Sequence, residues 1–175
     1  MRKRVFYLLV VVFVSAACGG NDLAGKIKDA EARLDAAIST PGKANDGRQE
    51  IGLELIDLYS QFVQANPSDT ASANYLYRSA MISGDFHENY NRCVQFLERL
   101  RREYPDSYRG ESALFLLGYT YADKLRDLPR AKAIYSSFLE KYPDSEMAGS
   151  VQFELDNLGK TLDQLPVIGS GTTGN

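Results

Sequence analysis

The stretch Tyr104-Pro105-Asp106-Ser107 recurs, letter for letter, as Tyr142-Pro143-Asp144-Ser145. A related stretch, Asn66-Pro67-Ser68-Asp69, precedes the first copy at the same spacing, so the three prolines are evenly placed along the chain. A fixed period between about 20 and 50 residues is typical of repeat proteins, in which each unit buries its apolar face by stacking on its neighbours. The sequence therefore predicts a stack of similar units.

Apolar residues recur every three to four positions through most of the chain, which is the pattern of amphipathic helices. Similar apolar stripes begin at Leu55, Cys93 and Ala131, again at the spacing of the prolines, and they predict the second helices of successive hairpins. Asp127 is predicted to cap the last of these helices, with Pro129 in its first turn. The helix with the Leu55 stripe is predicted over residues 49–65, and the other helices over residues 22–38, 70–83, 108–122 and 145–165.

Two segments carry the residues that interrupt or end helices. Residues 39–48 are dense in glycine, proline, asparagine and aspartate, so we expect a loop there. Residues 166–175 are rich in glycine, serine and threonine, so we expect a disordered tail. No further Tyr-Pro-Asp-Ser copy follows the helix over residues 145–165, which is therefore expected to cap the stack with a more polar outer face.

The first residues have the organisation of an export signal. Three basic residues precede an apolar run from Val5 to Val14, which is too short to span a membrane, and small residues lead to Cys18. We expect residues 1–17 to be a signal peptide and residues 18–21 to be a lipidated cysteine and a short tether. This resembles a bacterial lipoprotein signal, in which the cysteine carries acyl chains. The alternative is an ordinary secretory signal.

Composition limits the class of partner. The chain is 44% hydrophobic and 25% charged, which is ordinary for a globular domain. Its net charge of −3 would become −6 on removal of the three basic residues of the signal. Because nucleic-acid binders carry basic patches, we expect no nucleic-acid partner. Attachment to the membrane is expected through the lipid on Cys18.

Chemistry-bearing residues are sparse. His87 is the one histidine, and with no nucleophile–base pair or metal-ligand motif in the sequence we expect an exposed turn residue and no enzyme, metal site or cofactor. Cys93 lies in an apolar stripe and is predicted to be a buried structural cysteine. Arg99, Arg101 and Arg102 are interpreted as solvated charges near a helix end, with contact to an acidic partner as the alternative.

The hairpins resemble tetratricopeptide repeats, whose pattern places a large residue, Leu-Gly and Tyr in the first helix and Ala, an aromatic residue and Pro in the second. The third hairpin carries that pattern. The second hairpin matches it in residue size and polarity more than in identity, at Leu76, Ser79-Ala80, Ser83, Cys93, Leu97 and Pro105. The matching residues of the third hairpin are Leu114, Leu117-Gly118, Tyr121, Ala131, Tyr135 and Pro143. The period of 38 exceeds the common ~34, with most of the excess between each proline and the next first helix.

This resemblance implies an all-α fold. We expect an α-solenoid of about seven helices over residues 22–165, arranged as antiparallel pairs in a right-handed superhelical stack. The long units with Tyr-Pro-Asp-Ser junctions are similar to repeats of bacterial envelope lipoproteins, notably the helical-repeat lipoprotein of the outer-membrane β-barrel assembly machine and the Tol-Pal-associated coordinator. The expected location is the outer membrane, facing the periplasm, because Gly19 follows Cys18 where some lipoproteins carry an aspartate as a signal for retention at the inner membrane.

The family uses one face of its first helices as a concave groove, and transferring those positions gives candidate binding residues. Aromatic and methionine side chains there suit a peptide or a partner helix, while the alternative is simple packing between first helices. The expected function is a non-catalytic scaffold for protein partners, and the alternative is a small-ligand or glycan-binding module. The candidate residues are Asn74, Tyr77, Met81, Ser112, Phe115, Tyr119, Ser150, Phe153 and Asn157.

Overall fold

The computed structural model of the protein describes residues 20–39, residues 47–160 and residue 164. Every regular element in these ranges is helical, so the predicted all-α fold is confirmed. A five-residue π-helical segment, Thr120–Lys124, continues the fifth α-helix. The seven α-helices are α1 Gly20–Ser39, α2 Arg48–Ala65, α3 Thr70–Asp85, α4 Tyr90–Glu103, α5 Gly110–Tyr119, α6 Leu128–Lys141 and α7 Ala148–Asp156.

Each helix packs against the helix that follows it in the chain. The described helices therefore form three pairs, α1–α2, α3–α4 and α5–α6, with α7 at the end of the stack. The buried side chains fall into one cluster from Ile27 to Ile82 and another from Val63 to Val151. Tyr75 and Phe96 pack against both clusters, so the core continues along the stack.

The corners that follow α2, α4 and α6 are equivalent. The residues before the three prolines have φ of −132°, −133° and −128° and ψ of 58°, 56° and 57°, and each N–H group bonds to a carbonyl four residues earlier. Pro67, Pro105 and Pro143 therefore occupy matching positions, as the repeat period predicts. The three capping residues are Asn66, Tyr104 and Tyr142.

The turns inside the second and third hairpins are equivalent as well. The side chains of Asn89 and Asp127 accept hydrogen bonds from the N–H groups of Arg92 and Arg130, at 3.1 and 3.2 Å. The residues just before them, Glu88 and Arg126, have φ of 47° and 55°. Asp127 is thus the N-cap of α6, with Pro129 in the first turn, as predicted.

Close packing inside each hairpin depends on a small residue in the first helix. A Cβ atom on Gly118 would lie 2.4 Å from Cε1 of Tyr135, so α5 approaches α6 only because the position is glycine. One repeat earlier, Ala80 and Leu97 hold the equivalent positions, and both are fully buried. In the second hairpin alanine replaces glycine and leucine replaces tyrosine, so the total side-chain volume between the two helices changes less than either residue does alone.

Several helix ends differ from the predictions by two or three residues, and local hydrogen bonding and charge account for the differences in α1 and α5. Helix α1 begins at Gly20, so residues 20–21 of the expected tether are helical; Asp22 in the first turn favours this start because it faces the positive end of the helix dipole. Helix α5 changes at Thr120, where the N–H of Leu125 bonds to the Thr120 carbonyl in the π pattern. The hydroxyl of Thr120 also donates back to the Leu116 carbonyl.

The prediction of a helix over residues 145–165 is wrong at its C-terminal end, because α7 ends at Asp156. The chain reaches Gly159, whose φ of +81° lies in the left-handed region that ends helices. Gln152 and Asp156 are exposed at positions where the earlier first helices bury apolar residues against a second helix. Polar residues there agree with the expected cap of the stack.

Several predictions concern residues outside the described ranges. They are the signal peptide over residues 1–17, lipidation of Cys18, most of the loop (residues 40–46), Leu162 and Leu165 of the last apolar stripe, and the tail over residues 166–175. Within the described helices, none has both the length and the apolar character needed to cross a membrane.

Candidate functional site

The candidate groove residues lie on α3, α5 and α7, the first helices of the repeats, except Asn157, which follows the last residue of α7. Their spacing of three and four residues places each set on one helix face. Tyr77, Phe115 and Phe153 occupy equivalent positions, and all three are half-buried. Met81 and Tyr119, also equivalent to each other, are 41% and 37% exposed. The apolar surface open to a partner is therefore concentrated toward the C-terminal ends of α3 and α5.

The opposite end of the groove is filled by the chain itself. Arg109, just before α5, donates from Nε to Oδ1 of Asn74 over 2.9 Å. Its Cζ atom also lies 4.8 Å from the centroid of the Tyr77 ring. Burial raises the pKa of Tyr77 above its ordinary value. Tyr77 thus contributes to packing between first helices, which is the alternative that the sequence left open.

Met81 and Tyr119 line a cleft of about 70 Å³ between α3 and α5. The other walls include Tyr90, at the start of α4, and Leu116. Tyr119 also lines the next cleft, of about 240 Å³, together with Phe153 and Asn157. The two clefts are related by the repeat and share Tyr119 as a wall. The structure therefore brings together four of the candidate residues along one edge.

Charged groups surround the first cleft. Lys124 lies with Nζ 2.8 Å from Asp123 and 5.4 and 5.9 Å from the ring centroids of Tyr119 and Tyr90. The hydrogen bond that Lys124 donates to Asp123 raises the pKa of the lysine and lowers the pKa of the aspartate. Asp85 is the last residue of α3, where a negative charge is disfavoured by the helix dipole, and its pKa is raised by partial burial.

Asp85, Tyr90 and Lys124 were missed by the sequence prediction. The predicted groove positions come only from the first helices, whereas Tyr90 belongs to α4 and Lys124 to the π segment. A usable signal did exist, since Asp85 and Asp123 are separated by one repeat period and hold the same place in successive clefts.

His87 is not the exposed turn residue that the sequence predicts. Its side chain is half-buried over α2, and a Cβ atom on Gly52 would lie 3.2 Å from its Nε2 atom. The absence of a side chain at Gly52 makes the space that the imidazole ring occupies. Nε2 is buried and has no hydrogen-bond partner within the described residues.

The remaining candidates have structural roles. Arg99 and Arg102 pair with Glu103 at 2.9 and 3.1 Å, and Arg101 pairs with Glu98 at 2.7 Å, so this basic cluster is balanced on its own helix. Cys93 is buried as predicted, with Sγ 3.9 Å from Oγ1 of Thr120. Burial raises the pKa of its thiol to about 11. A thiol of this kind is unreactive at neutral pH.

The described ranges contain no group of three or more histidine, cysteine, aspartate or glutamate residues that could hold a metal ion. The clefts carry aromatic, methionine and charged side chains. This arrangement is suited to holding a partner.

Comparison with known proteins agrees with this geometry. The model of the tetratricopeptide repeat family matches residues 74–107 and 112–145. Residues 108–111 lie between the two matches. A search of curated proteins found no match to the chain. Residues 74–145 therefore carry two tetratricopeptide repeats, a type of repeat that indicates a protein-interaction scaffold.

Proposed function

We propose that the protein is a lipid-anchored scaffold of the bacterial cell envelope, which holds a protein partner along the edge formed by the C-terminal ends of α3 and α5. The observation that carries the proposal is the pair Met81 and Tyr119, exposed at equivalent positions of two adjacent tetratricopeptide repeats. Membership among the assembly-machine or Tol-Pal-associated lipoproteins is a finer form of the same proposal.

The proposed binding mode follows from side-chain chemistry. Methionine adapts its shape to different partners, and tyrosine offers a large apolar surface with little loss of conformational entropy. The two clefts on either side of Tyr119 would each take one side chain of the partner. In an extended segment alternate side chains project from the same face, so residues an even number of positions apart would enter the two clefts.

The proposed anchor is Cys18. Two acyl chains give stable attachment, whereas one chain gives only marginal binding to a membrane. Because α1 begins at Gly20, the anchor would be joined almost directly to the first helix, and the domain would lie close to the bilayer. We place it at the outer membrane, facing the periplasm.

A double variant tests the groove. Met81→Ser with Tyr119→Ser removes two exposed side chains, so we expect helical content and Tm close to the wild type but loss of the partner in crosslinking from intact cells. The matched control is Ile38→Ser with Leu53→Ser, since these residues are similarly exposed, at 50% and 48%, and lie outside the groove. Equal partner recovery from the groove variant and the wild type would reject the proposed surface.

Metabolic labelling tests the anchor. Cells fed an alkyne-bearing palmitate should incorporate the label into the wild-type protein and not into Cys18→Ser, and only the wild type should sediment with membranes. Label in the Cys18→Ser variant, or a wild-type protein without label, would remove the lipoprotein part of the proposal. The groove experiment would be unaffected.

A further inference from the structure

The three equivalent corners of the stack enclose two gaps that are bridged differently. We call the space between the corners at Pro67 and Pro105 the first gap, and the space between the corners at Pro105 and Pro143 the second gap. The residues before the three prolines match in backbone angles, but α3 begins three residues after Pro67 and α5 five residues after Pro105, so the two gaps differ in backbone as well as in side chains.

The second gap is bridged by the chain's own side chains. Lys141 donates from Nζ to the carbonyl oxygen of Pro105 over 2.6 Å. The hydroxyl of Ser145 donates to the carboxylate of Glu111 and accepts a hydrogen bond from the N–H of Met147 over 2.9 Å. A lysine and a glutamate thus supply the polar groups that this space requires.

The first gap lacks both groups. Glu103 occupies the position of Lys141, and Ala73 occupies the position of Glu111. As a result the hydroxyl of Ser107, which corresponds to Ser145, is buried without a hydrogen-bond partner in the described part of the chain. The gap is open as a cleft of about 430 Å³, a volume within the range of ordinary ligand sites.

The lining of the first gap is aromatic and acidic. Tyr108 is 67% exposed, and the half-buried Tyr104 forms another wall. The described lining includes three carboxylates and no lysine or arginine. Glu103 is already paired with Arg99 and Arg102, which leaves Asp69 and Asp106 as the carboxylates without a cationic partner among the described residues.

We infer that the first gap is a second interaction site, which takes a lysine or arginine side chain from a protein partner. The aliphatic stem would lie against Tyr104 and Tyr108, and the cationic head would reach Asp69 and Asp106. Long basic side chains commonly bury their stems on apolar surface while the charge stays near water and acids. In the second gap the chain's own Lys141 binds the carbonyl of Pro105, whereas in the first gap the corresponding carbonyl of Pro67 is bound by the Tyr104 hydroxyl.

This site is independent of the proposed groove. It lies at the N-terminal end of α3, at Thr70, whereas the cleft at Met81 and Asp85 lies near the C-terminal end. At 1.5 Å per residue, Thr70 and Asp85 are about 22 Å apart along the axis of α3. Failure of one site would therefore leave the other testable.

Titration of the full chain with a small cationic probe tests the inference. The probe is the blocked tripeptide Ala-Lys-Ala, compared with Ala-norleucine-Ala, and backbone amide shifts are followed by NMR. We expect saturable shifts confined to residues 67–70 and 104–108 with the lysine probe only. Equal shifts with the norleucine probe, or shifts spread over the whole acidic surface, would overturn the inference.

Two variants separate charge from folding. Asp69→Asn with Asp106→Asn removes the charges while asparagine can still cap α3, so we expect affinity for the lysine probe to fall about tenfold or more with Tm retained. Asp144→Asn, the equivalent of Asp106 at the next corner, is the matched control and should bind as the wild type does. Unchanged affinity in the double variant would overturn the inference.

A third variant copies the bridged gap. Ala73→Glu with Glu103→Lys places in the first gap the residue types that occupy the second, so the side chains should occupy the cleft and abolish binding of the lysine probe. Because Ala73 is buried, the folding of this variant is checked by circular dichroism. If the variant does not fold, the result of Asp69→Asn with Asp106→Asn decides whether the inference stands.

Discussion

The hydroxyl of Tyr104 donates to the carbonyl oxygen of Pro67 over 2.9 Å, so the first residue of one Tyr-Pro-Asp-Ser copy is bonded to the proline of the preceding corner. The two residues are 37 positions apart in the chain. The bond links neighbouring hairpins at the point where each second helix ends, and it explains why a tyrosine suits the position after α4.

Tyr104→Phe should weaken this link without disturbing the apolar contacts of the ring. We expect the free energy of unfolding to fall by about 0.5–1.5 kcal/mol, which is typical of one hydrogen bond. Urea denaturation followed by circular dichroism measures the change. Tyr142→Phe is the matched control, because Lys141 makes the corresponding bond at the next corner. An equal loss in both variants would contradict the assignment.

Gly118→Ala should destabilise the third hairpin, because its Cβ atom would lie 2.4 Å from Tyr135. Overpacking of this kind costs about 1–3 kcal/mol. Adding Tyr135→Leu reproduces the Ala80 and Leu97 pair of the second hairpin, so the double variant should lose less stability than the sum of the single variants. A double-mutant cycle on free energies of unfolding measures the coupling. Strict additivity would show that the two residues do not compete for space.

The Cys93 thiol should resist alkylation in the folded protein. At pH 8, iodoacetamide labelling is expected to be slow in the native state and rapid in urea, because burial excludes the reagent and raises the pKa to about 11. Mass spectrometry of the peptide that contains Cys93 checks this. Rapid labelling under native conditions would mean that α4 separates readily from the π segment.

The raised pKa of the Cys93 thiol predicts how the free energy of unfolding depends on pH. The folded-state pKa lies above the ordinary value of 9.0, so the protonated thiol contributes stability that is fully present below about pH 9 and is lost as the pH rises toward 11. Cys93→Ala should therefore show a shallower fall in the free energy of unfolding between pH 9 and 11. Identical slopes in the variant and the wild type would contradict this.

The caps at the starts of α4 and α6 should contribute similarly. Asn89→Ala and Asp127→Ala each remove a side chain that bonds to the first turn of its helix, and each should cost about 0.5–2 kcal/mol in the free energy of unfolding. Asp127→Asn keeps an acceptor and should be close to neutral. Thermal denaturation of the three variants distinguishes a capping role from a loss of charge alone.

The sequence was sufficient for the repeat, the corner positions and most helix starts. These features depend on local chemistry: proline cannot continue a helix, Asp127 caps one, and apolar residues at helical spacing mark a buried face. Gly118 and Tyr135 were likewise recognisable as positions of the repeat pattern. The end of α7 was not predicted, because the apolar stripe continues beyond Asp156 while the left-handed backbone at Gly159 stops the helix.

Only the tertiary structure decided which groove residues are available to a partner. Tyr77 and Met81 are on the same helix face by their spacing, yet Arg109 covers Tyr77 from the next repeat while Met81 stays exposed. The place of His87 over Gly52 and the open gap beside Ala73 likewise depend on which side chains meet across helices. Such contacts join residues about one repeat apart in the chain. Which side chains fill a space or pair their charges is therefore settled only when the helices stack.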